Sequence, residues 1–142
     1  MTATRSRKEE KEYKGYLKTK PNTCPFCEIK TGSDQLIEET KHFKVVHNIF
    51  SYSLWDGQNV ADHLMIVPKK HTASLADIPK DASAEFVQLL GSYEKKGYNI
   101  YARAPASVIK SVLHQHTHLI KPAGRPKKFV FLLRKPFIRI TN

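Results

Sequence analysis

The sequence predicts an α+β fold, a mostly antiparallel sheet with one long helix. Three observations carry the prediction. Six or seven short runs of β-branched and aromatic residues follow one another without helical crossovers between them. A single stretch near residues 81–96 has a helical apolar period, and a chain of 142 residues makes one domain with its own core, not two.

Taken in order, residues 1–20 hold seven Lys/Arg against three Glu, lack an apolar period, and read as a basic, mobile arm. The domain proper spans 21–142. Residues 35–39 and 43–47 read as strands, and residues 63–68 as a stronger, more buried one closed by Pro68. The segment between Asn48 and His63 is too irregular for an element, and is treated as a loop near the site. Its Trp55 and Tyr52 read as loop anchors, with stacking on a base as the alternative. Asp81 or a neighbour caps the helix, which places Phe86, Val87, Leu89, Leu90 and Tyr93 on one face and stops at Gly97. Residues 98–103 and 111–120 then read as strands around a loop, and Gly124 and Pro126 break the second. Residues 129–134 and 137–140 are β-rich, with Pro136 marking an edge or a bend.

Apolar residues at 40% and charged residues at 26% describe a soluble folded protein and argue against disorder and coiled coil. No apolar run is long enough to span a membrane, and the first 20 residues lack the apolar stretch of a signal peptide. The net charge of +11 sits at the ends, +4 in residues 1–20 and +7 in residues 121–142, while residues 21–120 balance ten against ten. A neutral centre with basic ends suits a nucleotide or nucleic-acid partner or an acidic membrane face, the alternative being basic tails that keep the protein soluble.

Two features carry chemistry. The two cysteines form Cys24-Pro25-Phe26-Cys27, too close for a useful disulfide and better read as half of a metal site or a redox pair. Either favours a reducing compartment, hence a cytoplasmic location. The second is His114-Gln115-His116-Thr117-His118, where the strand period of two puts three imidazoles on one face. Such a face serves a metal that activates water, or a neutral imidazole attacking phosphorus. No Asp or Glu follows Arg103, and the second chemistry works without one.

Residues 111–120 resemble the signature of the histidine triad (HIT) superfamily of nucleotide hydrolases and transferases. Upstream, His63-Leu64-Met65-Ile66-Val67-Pro68-Lys69-Lys70-His71 resembles its His-x-x-x-x-Pro-Lys-x-His strand, and Cys24 to Cys27 the Cys-x-x-Cys of its zinc-containing branch. The resemblance implies a HIT-like sheet with a short N-terminal helix or turn, and cleavage at the α-phosphate of a nucleoside phosphate derivative, a dinucleoside polyphosphate or a phosphoramidate, through a nucleotidyl-histidine. It implies His116 as nucleophile, His118 and Ser111 at the phosphate and leaving group, His63 completing the pocket, and Asn48 facing the ribose. It also implies a structural Zn²⁺ on Cys24, Cys27, His71 and His114, and a homodimer. His118, where the related uridylyltransferases carry Gln, favours hydrolysis. Lys110 and Arg103 replace uncharged residues of the family pattern, which favours an anionic leaving group, a polyphosphate or a nucleic-acid end. The competing readings are a His-ligated metallohydrolase, a zinc-bound nucleotide or nucleic-acid binding module, and a deadenylase of nucleic-acid ends.

Overall fold

In the computed structural model, residues 3–19, 21–126, 129–132 and 137–140 are described. Two short strands and two helices open the chain: β1 (Ala3–Thr4), α1 (Arg7–Thr19), α2 (Pro25–Glu28) and β2 (Leu36–Glu39). Then come β3 (Phe43–His47), β4 (Leu54–Trp55), β5 (Gln58–Pro68), α3 (Lys80–Lys95), β6 (Asn99–Ala102) and β7 (Thr117–Ala123). Strands β8 (Phe129–Leu132) and β9 (Phe137–Ile140) form a separate antiparallel hairpin. Residues 133 and 134, expected in a strand, and Pro136, expected at an edge or a bend, lie outside the described residues.

Every strand pairing is antiparallel. The long β5 is the spine: β7 pairs along Asn59–Ile66, β3 along Leu64–Pro68, and β4 at its start. Because side chains alternate along a strand, Leu64 and Ile66 fall on one face and His63, Met65 and Val67 on the other. The first face joins Phe43, Val45 and Leu119 in a core capped by Ala82, Leu89 and Tyr93 of α3. On the second face Met65, Val46 and Val67 pack on Phe26 and Ile29, while Ile120 packs on Tyr52 and Trp55. Register puts His63 opposite Ile120 and Met65 opposite His118, so the histidines occupy the face that α3 does not cover.

Helix α3 buries the spacing Ala82, Leu89, Tyr93, with Phe86 and Leu90 beside them. Val87, expected on this face, points out and is 64% exposed. It lies one residue beyond Phe86, about 100° around the helix. Pro79, not Asp81, is the N-cap residue. At the other end Gly97 has φ 86°, its N–H bonds to the Glu94 carbonyl, and the Tyr98 N–H bonds to the Tyr93 carbonyl, a Schellman stop. Gly91, mid-helix, has open space where a Cβ would go. Two alanine substitutions in one helix are therefore expected to act oppositely in thermal denaturation. Gly91→Ala should stabilise by about 0.5–1 kcal/mol through helix propensity, and Gly97→Ala should destabilise by about 1 kcal/mol through its left-handed backbone.

Three sequence expectations change. Residues 7–19, read as part of an arm, form the 13-residue α1. The supposed loop between Asn48 and His63 contains a hairpin, with Asp56 (φ 49°) and Gly57 (φ 79°) as the two-residue turn between β4 and β5. The strand expected over residues 111–120 begins only at Thr117. Before it, the Gln115 N–H donates to the Thr72 carbonyl, so the chain is tied to the segment after β5 instead of pairing as a ladder.

Candidate active site and metal cluster

The late start of β7 divides the three histidines. His116 and His118 face His63, whereas His114 turns to the cysteines. The expectation of three imidazoles on one strand face fails here, because a period of two applies only where the backbone is extended.

The His114 side is a cluster of four. Cys24 Sγ is 3.3 Å from His114 Nδ1; Cys27 Sγ is 3.5 Å from that atom and 3.4 Å from His71 Nδ1. All four donor atoms lie within 4.8 Å of one another. A tetrahedron with Zn–S of about 2.3 Å and Zn–N of about 2.05 Å has an S···N edge of about 3.6 Å, so the donors fit such an ion in kind and spacing. His114 Nε2–H donates to the Pro68 carbonyl at 2.9 Å, which leaves Nδ1 with the lone pair a metal needs. Burial holds His114 down to about 4, so the ring is neutral. Burial, followed by Cys24, pushes the Cys27 thiol up.

The other imidazoles form a relay whose tautomers follow from one obligatory donor. The Tyr52 backbone N–H donates to His63 Nδ1 at 3.2 Å, so the proton of neutral His63 is on Nε2. That N–H donates to His118 Nδ1 at 2.9 Å, so the proton of His118 is on its own Nε2. His116 differs: its Nδ1–H donates to the His114 carbonyl at 2.8 Å, and Nε2 keeps a lone pair. Burial lowers all three. His63 falls to about 3, with Arg5 adding to the shift, His116 falls below the usual imidazole value, and His118 well below it. All three rings are thus neutral near pH 7.

A pH dependence of stability follows. Below the ordinary imidazole value of about 6.5 the unfolded chain protonates His63 and the native chain does not, so stability falls as pH drops toward 3. His63 contributes a slope of at most about 1.4 kcal/mol per pH unit. Denaturant titrations at pH 7 and pH 5 are expected to differ less in His63→Gln than in the unaltered protein.

His116 and His118 open into a cleft of about 810 Å³ that Asn48, Arg103, Lys110 and Ser111 also line. Asn48 Nδ2 is 3.1 and 3.3 Å from the two His63 ring nitrogens, and its Oδ1 accepts from the Phe50 N–H. The Lys110 ammonium donates to Gln115 Oε1 at 3.1 Å and to the carbonyls of Ala73 and Arg103, and the Arg103 guanidinium donates to the Tyr52 hydroxyl. Tyr52 and Trp55 are buried and stacked, anchors as the sequence suggested. His42 stands apart, paired with Glu85 at 2.7 Å, and His47 is exposed. Sequence reasoning missed the Tyr52 N–H, which no side-chain pattern can signal. It also missed Arg5, Tyr13 and Tyr16, which line the same cleft.

A sheet that sets a hydrogen-bonded histidine relay beside a Cys2His2 cluster places neutral imidazoles in an open cleft. Comparison with known proteins gives the family. The HIT domain model matches residues 31–124, and the chain belongs to that family. An adenosine 5'-monophosphoramidase of Candida albicans is 30% identical over 119 residues, 75% of this chain and 71% of that protein. Its Saccharomyces cerevisiae counterpart is 32% identical over 102 residues, 68% of this chain and 61% of the relative. Among solved structures, a HIT family hydrolase from Legionella pneumophila has a TM-score of 0.52 at 26% identity, covering 72% of this chain and 94% of its own. A zinc-bound histidine triad protein from Mycobacterium smegmatis, at 23% identity, has a TM-score of 0.54 over 71% of this chain and 76% of its own, and supports the fold.

Proposed function

We propose that the protein hydrolyses a nucleoside 5'-phosphate derivative at the α-phosphorus, with a nucleoside phosphoramidate as the substrate class, through a nucleotidyl-histidine on His116. The observation that carries this is the tautomer pattern. Of the three coupled imidazoles, His116 is the one whose Nε2 lone pair is left for phosphorus, and it lines the cleft.

Attack by Nε2 forms an N–P bond, and the P–N bond of the substrate breaks. The leaving nitrogen departs as an amine with a proton from solvent. Water then attacks phosphorus, the bond to His116 breaks, and the nucleoside monophosphate leaves while the proton of water returns to solvent. His118, with its proton on Nε2, donates to a phosphoryl oxygen, and His63 positions it. Ser111 and Asn48 line the cleft for the leaving group and the ribose. Lys110 and Arg103 place positive charge near His116, which favours an anionic phosphoryl group. Lys110 spends its hydrogen bonds on protein carbonyls, which supports an amine over a polyphosphate as leaving group.

Cys24, Cys27, His71 and His114 would hold Zn²⁺ in a closed, structural site. Bound there, the ion supplies a cross-link between α2 and the segments carrying His71 and His114.

Intact-mass measurement after a rapid, acid-free quench tests the reaction. Mixing with adenosine 5'-phosphoramidate should give a transient mass increase of one adenylyl group, and dinucleoside polyphosphates should give less of it. Turnover without any adduct would overturn the covalent route.

A further inference from the structure

Helix α1 lies wholly before residue 31, where the family match begins, yet it reaches the cleft. Its inner face, Glu10, Tyr13, Tyr16 and Leu17, has the spacing of one side of a helix and lines the cavity that holds His116 and His118. The helix is fixed there. Strand β1 pairs with β4, the Ser6 and Glu9 side chains cap the first turn reciprocally, and the Ser53 hydroxyl donates to Glu9. Tyr13 and Tyr16 rest on Phe50 with ring centroids at 5.3 and 4.9 Å. Arg5 Nε donates to the Phe50 carbonyl at 3.0 Å, and its guanidinium lies over the Tyr13 and Tyr52 rings at 4.2 and 5.0 Å.

We propose that α1 is the nucleobase wall of the cleft. Tyr13, Tyr16 and Leu17 give the base an aromatic and aliphatic surface, and Arg5 beside Glu10 meets its polar edge. The inference rests on the cleft being a nucleotide site. Lys110 and Arg103 line the cleft with His116 and His118, so the phosphoryl group belongs at that end. At the α1 end the Glu10 carboxylate takes Arg5 Nη1 at 3.9 Å and Lys14 Nζ at 3.7 Å, and Tyr13, Tyr16 and Leu17 add an aromatic and aliphatic lining. A phosphate gains nothing from a wall that carries a carboxylate, and a small amine has no use for two tyrosines. A neutral planar heterocycle with donors and acceptors on its rim is the complement of both. The segment outside the family's domain then sets which nucleoside is accepted.

The test separates base from phosphate. Calorimetric titration compares AMP with ribose 5-phosphate, which lacks the base, on the unaltered protein, Tyr13→Ala/Tyr16→Ala, Tyr13→Phe/Tyr16→Phe, and Lys11→Ala on the exposed face of α1. The alanine pair is expected to weaken AMP about tenfold or more, the scale of base–aromatic stacking, with ribose 5-phosphate unchanged. The phenylalanine pair and Lys11→Ala should bind AMP as the unaltered protein does. A measurement independent of any variant is the nuclear Overhauser effect between the adenine H2 and H8 protons and the Tyr13 and Tyr16 ring protons in the AMP complex. Equal AMP affinity in the alanine pair, equal losses for both ligands, or no such effect in the complex would overturn the wall, as would an unaltered protein that binds no AMP. If the unaltered protein binds AMP through these tyrosines but turns over no phosphoramidate, the hydrolase reading fails and the wall stands. If it turns over substrate while the alanine pair binds AMP normally, the wall fails alone.

Discussion

His116→Ala is expected to lower kcat for adenosine 5'-phosphoramidate by at least about four orders of magnitude, as loss of a covalent nucleophile does, while AMP affinity stays close to that of the unaltered protein. The prediction comes from the hydrogen bonds around the imidazoles. His63 accepts on Nδ1 and donates from Nε2, so neither nitrogen is left for phosphorus. His118 accepts on Nδ1, and the proton it keeps on Nε2 makes it a donor. His116 alone of the three is fixed by Nδ1–H on a carbonyl, with no hydrogen-bond partner on Nε2 among the described residues. His118→Ala should therefore cost less than His116→Ala, because it removes a hydrogen bond to the phosphoryl group and no bond to phosphorus. Single-turnover kinetics on both variants measures the ranking. A His116→Ala protein within about tenfold of the unaltered rate would remove the nucleophile from the scheme, since ordinary hydrogen-bonding groups account for losses of that size.

Much of the site is legible in the sequence, for a physical reason. The Cys24 to Cys27 spacing and the His63 to His71 strand are local patterns, and local patterns survive folding. Cys24, Cys27, His71 and His114 come together as the family resemblance implies. What fails is an assumption about backbone. Extending the strand back to Ser111 puts three rings on one face, but the hydrogen bond from Gln115 to Thr72 takes residue 115 out of any ladder. That same irregularity lets His114 serve the cysteines while His116 serves the cleft.

The N-terminal segment is harder to read, for a different reason. Charge density in residues 1–20 masks two signals that are present in the sequence, the Ser6 and Glu9 pair of a capping box and the i, i+3, i+4 spacing of Tyr13, Tyr16 and Leu17. Tyrosine counts weakly as apolar, so the period is faint. The contact with Phe50, far along the chain, covers part of that face. Similarly, Asp56-Gly57 between Trp55 and Gln58 is a strong hairpin signal, and the irregular residues before it obscure it.

Removing the metal is expected to lower the melting temperature by about 10 °C or more, and Cys24→Ser should copy that loss with no further effect of chelation. A cost of about 3 kcal/mol is a small part of the affinity structural zinc sites display, and a chain of this size moves by roughly 3–5 °C per kcal/mol. The cost is this large because the four ligands come from three separate places, α2 and its N-cap, the turn after β5, and the irregular segment before β7. Helix α2 has four residues and no side-chain cap, so it depends on Phe26, Ile29 and the cluster to stay in place. Phe26 in turn touches His116, with ring centroids at 5.0 Å. Loss of the ion should therefore reach His116 through packing. Elemental analysis is expected to find one zinc per chain in the unaltered protein and none in Cys24→Ser, and turnover at temperatures well below melting should fall in the variant. A metal-free protein with unchanged melting temperature would show that packing of Phe26 and Ile29 holds the segment by itself. Prompt loss of turnover on chelation with melting unchanged would instead assign the ion a direct part in the chemistry, against the closed four-ligand geometry.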